Sequence, residues 1–335
     1  MSQRKVAVLV AGSWGTALAS VLAENGHAVH LWSRDAGQVN EINTKHTNSK
    51  YLPDVTLHTN IRANQSMQEA VEGAELVLIV APSKAMREVA KQLSAFVTDH
   101  MTVVHATKGF EAETLAAMST VIIEEIPSLQ NRIVVLSGPS HAEEVIRKCP
   151  TTVVVASRSQ HAAENAQDLF INNYFRVYTN TDIIGVEIAG ALKNIIALGA
   201  GLSDGLGFGD NAKAALMTRG LAEISRLGTA MGADPLTFAG LAGVGDLIVT
   251  CTSKHSRNWR AGYALGQGKS LQQVLDEMGM VVEGVRTTQA AHLLSHKYNV
   301  EMPITSQLYA LLFEGKSGNQ VVEDLMGRNR TQEMQ

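Results

Sequence analysis

A glycine-bearing turn, a strand-end lysine, a Ser-His pair and a basic triplet are the parts of this chain whose residue types and spacing can do chemistry. The turn is Val10-Ala11-Gly12-Ser13-Trp14-Gly15, directly after the apolar Val6-Ala7-Val8-Leu9. Where a strand turns into a helix, glycines let the backbone approach a diphosphate, and free amides at the helix start, here around Ser13 and Trp14, meet its charge. The dinucleotide fingerprint places glycine at the first, third and sixth positions of such a turn. Gly12 and Gly15 occupy the later two, but Val10 stands at the first. A stiff β-branched residue there resists positive φ, so Val10 is expected either to be strained or to stay extended and crowd the nucleotide. A strand–turn–helix whose glycines serve packing alone fits the same six residues.

The next strand bears on which dinucleotide would bind. NAD-specific folds end it in a carboxylate for the ribose hydroxyls, whereas a cation there accommodates a 2′-phosphate. Leu31-Trp32 is followed by Ser33-Arg34, with the acid only afterwards at Asp35. A hydroxyl followed by a guanidinium favours NADPH at least as much as NADH. Arg34 as a solvated surface charge is the other reading.

His105-Ala106-Thr107-Lys108-Gly109 closes an apolar run, which puts Lys108 at the carboxyl edge where ligands of α/β sheets bind. Gly138-Pro139-Ser140-His141-Ala142 closes another and imitates the nucleophile elbow of a hydrolase. Ser256-Arg257-Asn258 offers a hydroxyl, a forked cation and an amide, a good set for a phosphate dianion. The wider run from Lys254 to Arg260 also reads as a basic surface face.

The elements that must position these residues fall into two textures. Apolar, β-branched-rich runs at 6–10, 28–32, 76–80, 102–105, 133–136 and 152–156 read as strands covered on both faces, as in a parallel sheet. Helical spacing at 16–24, 83–96, 115–125 and 160–170 supplies crossovers, which makes a doubly wound α/β domain. After Asp182 such runs almost vanish, and 183–198, 212–231, 271–278, 287–296 and 306–313 read as helices. The expected division is a dinucleotide-binding domain at 1–181 and an all-α substrate-binding and catalytic domain at 182–335, with the boundary near 179–185. A catalytic cleft would lie where they meet.

The 335 residues suffice for two cores, and 45% hydrophobic against 18% charged excludes a disordered chain. A net charge of −4 argues against nucleic-acid binding by bulk charge. Cys149 and Cys251 make no disulfide framework and no metal-site spacing, which suits a reducing cytoplasm and predicts no metal. The charged start at Arg4-Lys5, the apolar run and Ala17-Leu18-Ala19 imitate a signal peptide, but Gly12-Ser13-Trp14-Gly15 breaks the run. No segment is expected to reach the roughly 18 apolar residues of a membrane span.

Six segments in order carry a family resemblance: Ala-Gly-Ser-Trp-Gly-Thr-Ala-Leu-Ala at 11–19, Ala-Thr-Lys-Gly at 106–109, Gly-Ala-Leu-Lys-Asn at 190–194, Gly-Asp-Leu at 245–247, Ser-Arg-Asn at 256–258 and Val-Val-Glu-Gly at 281–284. Over roughly 4–330 the chain resembles the bacterial NAD(P)-dependent glycerol-3-phosphate dehydrogenases. The resemblance implies reduction of dihydroxyacetone phosphate to sn-glycerol 3-phosphate with NADPH or NADH, feeding phospholipid synthesis, in a homodimer. It implies cofactor contacts at Gly12, Ser13, Trp14, Gly15, Arg34, Lys108, Ala142, Arg257, Val281 and Glu283. It implies a substrate pocket of Lys108, Gly138, Ser140, Lys193, Asp246, Ser256, Arg257 and Asn258, with Thr250 beside it and Lys193 transferring the proton. Val10 departs from the family, which carries glycine there.

Hydride delivered to a ketone carbon leaves an alkoxide, which needs a proton donor in a drying cleft. A lysine ammonium can donate and also stabilise the developing charge, provided its pKa falls toward neutrality. Burial near Lys108 would lower the Lys193 pKa, while Asp246 would orient the amine and oppose part of the fall. Without its motif, Lys193 reads as a snorkelling helix lysine. Other readings left open are a hydrolase acting through Ser140, a non-catalytic nucleotide sensor, and a sister dehydrogenase of β-hydroxyacids or 6-phosphogluconate.

Overall fold

The computed structural model describes residues 3–279, 281–330 and 332–333. Eight strands form one sheet: β1 (Lys5–Leu9), β2 (Ala28–Trp32), β3 (Ile61–Asn64), β4 (Leu76–Ile79), β5 (Thr102–His105), β6 (Ile133–Ser137), β7 (Thr151–Ala156) and β8 (Phe175–Asn180). Their order is β3-β2-β1-β4-β5-β6-β7-β8. The first six pair in parallel, with Leu9 flanked by Trp32 and Ile79. The order reverses between β1 and β4, the crevice where doubly wound sheets bind ligands. Helices α1 (Ser13–Glu24), α2 (Ala36–Lys45), α3 (Met67–Val71), α4 (Met86–Leu93), α5 (Met118–Glu125), α6 (Ala142–Val145) and α7 (Gln160–Phe170) accompany these strands.

The sheet departs from the expected all-parallel arrangement. β7 runs antiparallel to β6, with Ser137 opposite Val154, and β8 pairs parallel with β7. Both β6 and β7 are buried throughout their apolar stretches, so an apolar run cannot reveal strand direction. The edge strands β3 and β8 fall outside the expected runs. In β8 Phe175 and Val177 are buried while Arg176 and Tyr178 face outward, a one-sided pattern and not a two-sided one. The first strand stops at Leu9, one residue short, because Val10 turns out of the β region.

β8 ends at Asn180 and α8 (Ile183–Gly205) starts three residues later, its first turn capped by the Asp182 carboxylate through the Gly185 N–H. The remaining helices are α9 (Asp210–Ala230), α10 (Asp246–Thr252), α11 (Arg257–Gly266), α12 (Leu271–Met278), α13 (Glu283–Lys297), α14 (Pro303–Phe313) and α15 (Gly318–Met326). α8 is the buried axis of this half. At 23 residues, with a window hydropathy of 1.6, it is long and apolar enough to cross a membrane, contrary to the expectation of no such segment. Here 94% of that window is buried within the protein. α8 and α11 cross backbone to backbone: a Cβ on Gly201 would lie 2.0 Å from the Trp259 carbonyl oxygen, and one on Gly262 only 1.9 Å from that of Leu198. Their close crossing sets the start of α11, and with it Ser256-Arg257-Asn258, beside the middle of α8.

Candidate active site

Three elements bring one carboxylate between two ammonium groups. Lys193, on α8, is 5% exposed, and its Nζ donates to Asp246 Oδ1 at 2.6 Å and to the Thr250 hydroxyl. Lys108, from the loop after β5, donates to the other carboxylate oxygen, Oδ2, also at 2.6 Å, and reaches the Gly138 carbonyl at 3.4 Å. Asp246 and Thr250 are one turn apart on α10, and the Thr250 hydroxyl also donates to the Asp246 carbonyl. Burial alone would push the Asp246 carboxyl up, but the two lysines outweigh it and hold it below its usual value. Burial pushes Lys193 down to about 8; Asp246 pulls the other way and Lys108 adds to the lowering. Burial also pushes the neighbouring Cys251 thiol up to about 12, so it stays neutral.

Around this centre, Gly138 (φ +128) and Ser140 follow β6, and the Ser140 hydroxyl donates to the Gly138 carbonyl at 2.9 Å. Among the described residues no hydrogen bond joins Ser140 to a base, which leaves the nucleophile elbow without a partner. The Ser256 hydroxyl caps α11 through the Trp259 N–H, and the Asn258 amide donates to Asn194 Oδ1 and accepts from the Gly284 N–H, both at 2.8 Å. Of the triplet only Arg257 is exposed, its guanidinium 3.5 Å from the Val281 carbonyl. Two members of the triplet already have partners within the protein: Ser256 caps α11, and Asn258 holds α11 against α8 and α13.

At the other end, α1 starts at Ser13 with Gly12 as its cap, no side chain bonded to that cap and no acid in its first turn. A Cβ on Gly12 would stand in open space, so the amides around Ser13 and Trp14 are approachable. An uncapped, acid-free helix start at the sheet's switch point fits a diphosphate. Val10 has φ +82; its N–H is held by the Trp32 carbonyl at 3.1 Å. Ser33 donates to Gln38, and the Asp35 carboxylate caps α2 through the Gly37 and Gln38 amides. Arg34 is half exposed, stacked 5.4 Å from the Trp32 ring centroid and paired with Glu88 at 2.9 Å, so it is not a free cation. Ala142 opens α6 in the core, and Glu283, at the start of α13, accepts from the Ser83 hydroxyl at 2.9 Å.

A sequence model of the NAD-dependent glycerol-3-phosphate dehydrogenase N-terminus matches residues 5–163, and that of the C-terminus matches 182–323. The chain belongs to this dehydrogenase family. It is 59% identical over 333 residues to a glycerol-3-phosphate dehydrogenase (NAD(P)+) of Bacillus subtilis, covering 99% of this chain and 96% of that one. The figure is 60% over 332 residues for the Bacillus mycoides enzyme, with 99% and 98% covered. A solved glycerol-3-phosphate dehydrogenase of Coxiella burnetii superposes with a TM-score of 0.93 at 39% identity, over 97% of this chain and 99% of that one. Identity over the full length supports this oxidoreductase family and its NAD(P) cofactor, and not the sister dehydrogenases, the sensor or the hydrolase.

Several residues around this candidate site carry no signal of it in the sequence. Asn48, fully buried, donates to the Ala11 carbonyl and to Thr16, and Gln38 donates to the same carbonyl, so both hold the glycine turn. Ser83 bridges to Glu283 across the two halves. His141, which the sequence marked only as the partner of Ser140, sits beside Lys193, and burial, then that lysine's charge, holds its pKa below the usual value. Polar residues in loops have no periodicity to betray them; Asn194, the residue after Lys193, carried at least its motif. Among the described residues no group of three His, Cys, Asp or Glu could hold a metal.

Proposed function

We propose that Lys193 is the proton-transfer residue of an NAD(P)-dependent interconversion of dihydroxyacetone phosphate and sn-glycerol 3-phosphate, and that Asp246 orients it. The observation that carries this is one buried lysine amine, lowered to about 8 and fixed by a carboxylate that a second lysine shares. When bound, the nicotinamide supplies or accepts the hydride at the substrate's C2. In reduction the Lys193 ammonium gives its proton to the oxygen on that carbon; in oxidation the free amine takes it. Lys108 adds positive charge where the alkoxide develops.

The cofactor would be held by Gly12, Ser13, Trp14, Gly15, Arg34, Lys108, Ala142, Arg257, Val281 and Glu283. The substrate would be held by Lys108, Gly138, Ser140, Lys193, Asp246, Ser256, Arg257 and Asn258. For Ser256 and Asn258 the support is positional: their internal bonds hold Arg257 at the site's rim. A division at 181/182 into cofactor and substrate domains, a homodimer, a cytoplasmic location and a supply of glycerol 3-phosphate for phospholipids belong to the same reading; the resemblance and the two free cysteines support it.

The test compares oxidation of NADPH by dihydroxyacetone phosphate with that by unphosphorylated ketones, in wild type and Lys193→Met. A fall in kcat of about a hundredfold or more, with NADPH binding retained, is expected. A variant that keeps a tenth of the wild-type kcat removes Lys193 from the role.

A further inference from the structure

Glu187 is a buried acid with no part in the proton transfer assigned to Lys193. It lies on α8 and is 8% exposed. Its carboxylate accepts from the Ser119 N–H at 2.8 Å and from the Ser119 hydroxyl, which ties it to the first turn of α5. The ring of His105, the last residue of β5 and fully buried, brings Nε2 within 3.2 Å of the same carboxylate. Among the described residues neither His105 nitrogen has a hydrogen-bond partner, and the Glu187 carboxylate is the polar group that lies against Nε2. One carboxylate on α8 thus bonds the start of α5 and seats against the end of β5.

Those attachments lead to the reacting groups. Three residues beyond His105 comes Lys108; six beyond Glu187, about 9 Å along the helix, comes Lys193. Residues 187, 190 and 193 form one stripe on α8. The middle one is Gly190, where a Cβ would lie 2.8 Å from Ser137 Oγ and 3.5 Å from Lys108 Cγ, so the Lys108 stem runs close along this stripe. Glu187–His105 at one end and Lys193–Asp246–Lys108 at the other close a frame.

We propose that Glu187 is a positioning residue: by bonding α5 and seating the end of β5 against α8 it sets the separation of Lys108 and Lys193 at which both reach Asp246. The inference rests on Lys193 as the proton-transfer group. The ionisable groups that face Lys193 are Asp246 and Cys251 on α10, Lys108 after β5 and His141 after β6. If Lys108 draws back, Lys193 loses a repelling cation and keeps Asp246 to itself, and both changes raise its pKa.

The experiment is the pH profile of kcat for dihydroxyacetone phosphate reduction, with NADPH affinity read by fluorescence. In Glu187→Gln, kcat is expected to fall about tenfold and its alkaline limb to move upward by about half a pH unit or more, with NADPH affinity within about twofold. The limb should not move further when Glu187→Gln is added to Lys108→Met. Ser119→Ala, which removes one bond and keeps the charge, should give a smaller shift of the same sign and serves if Glu187→Gln does not fold. A kcat that falls in step with melting temperature while the limb stays put makes Glu187 a structural acid and overturns the proposal. An alkaline limb that survives in Lys193→Met overturns the proton-transfer assignment instead.

Discussion

The carbonyl oxygen of Val10 lies over Gly15, 2.2 Å from where a Cβ on that residue would stand. The turn closes only because Gly15 has no side chain, and it closes with Val10 at φ +82. A β-branched residue in that region carries strain on the order of 1–3 kcal/mol, offset only in part by packing of its half-buried side chain against the core.

Val10→Gly is accordingly expected to raise the melting temperature of the empty protein and to tighten NADPH. Of the two routes open from the sequence, the backbone angle selects strain. Melting both proteins without ligand and titrating each with NADPH checks this. An unchanged melting temperature would mean that lost side-chain packing cancels the relief.

The pH dependence follows from Lys193, lowered from 10.5 to about 8. Reduction needs the ammonium, so kcat should be level below about 8 and fall about tenfold per unit above it. Oxidation of glycerol 3-phosphate needs the amine and should rise through the same range. Profiles measured in both directions on one preparation must bend oppositely; limbs of the same sign would point to a different titrating group.

Arg34 must leave Glu88 to meet a 2′-phosphate. Arg34→Ala should weaken NADPH by about 1–2 kcal/mol and leave NADH nearly unchanged. Glu88→Gln should tighten NADPH modestly by freeing the guanidinium. Equal losses for the two cofactors in Arg34→Ala would return Arg34 to the role of a surface charge.

Glu223, on α9, accepts from the Ile304 and Thr305 amides at the start of α14 at 2.6 and 3.2 Å. Burial pushes it up from 4.5 to about 7 against those bonds. The folded form holds the proton more tightly, so its contribution to stability is complete below about 4.5 and is lost as pH rises through about 7. The melting temperature should fall across that window in wild type and fall less in Glu223→Gln.

Local pattern was enough for the parts of this protein that short stretches of chain determine. The glycine turn, six of the eight strands and the long helices all depend on neighbours in sequence, and the ordered motifs marked Lys108, Lys193 and Asp246. Tertiary structure alone decided what depends on partners distant in the chain. β7 runs antiparallel because of its pairing with β6, and no run of buried valines encodes a direction. β3 and β8 were missed because an edge strand is buried on less of its surface. Arg34 looked free because Glu88 lies 54 residues away, and the bonds of Asn258 to Asn194 and Gly284 were invisible in the sequence for the same reason. The lowering of Lys193 belongs to the same class. A lysine on a helix is ordinary by sequence; burial and the approach of Lys108 lower its pKa, while Asp246, 53 residues further on and shared with Lys108, opposes part of the fall and fixes the amine.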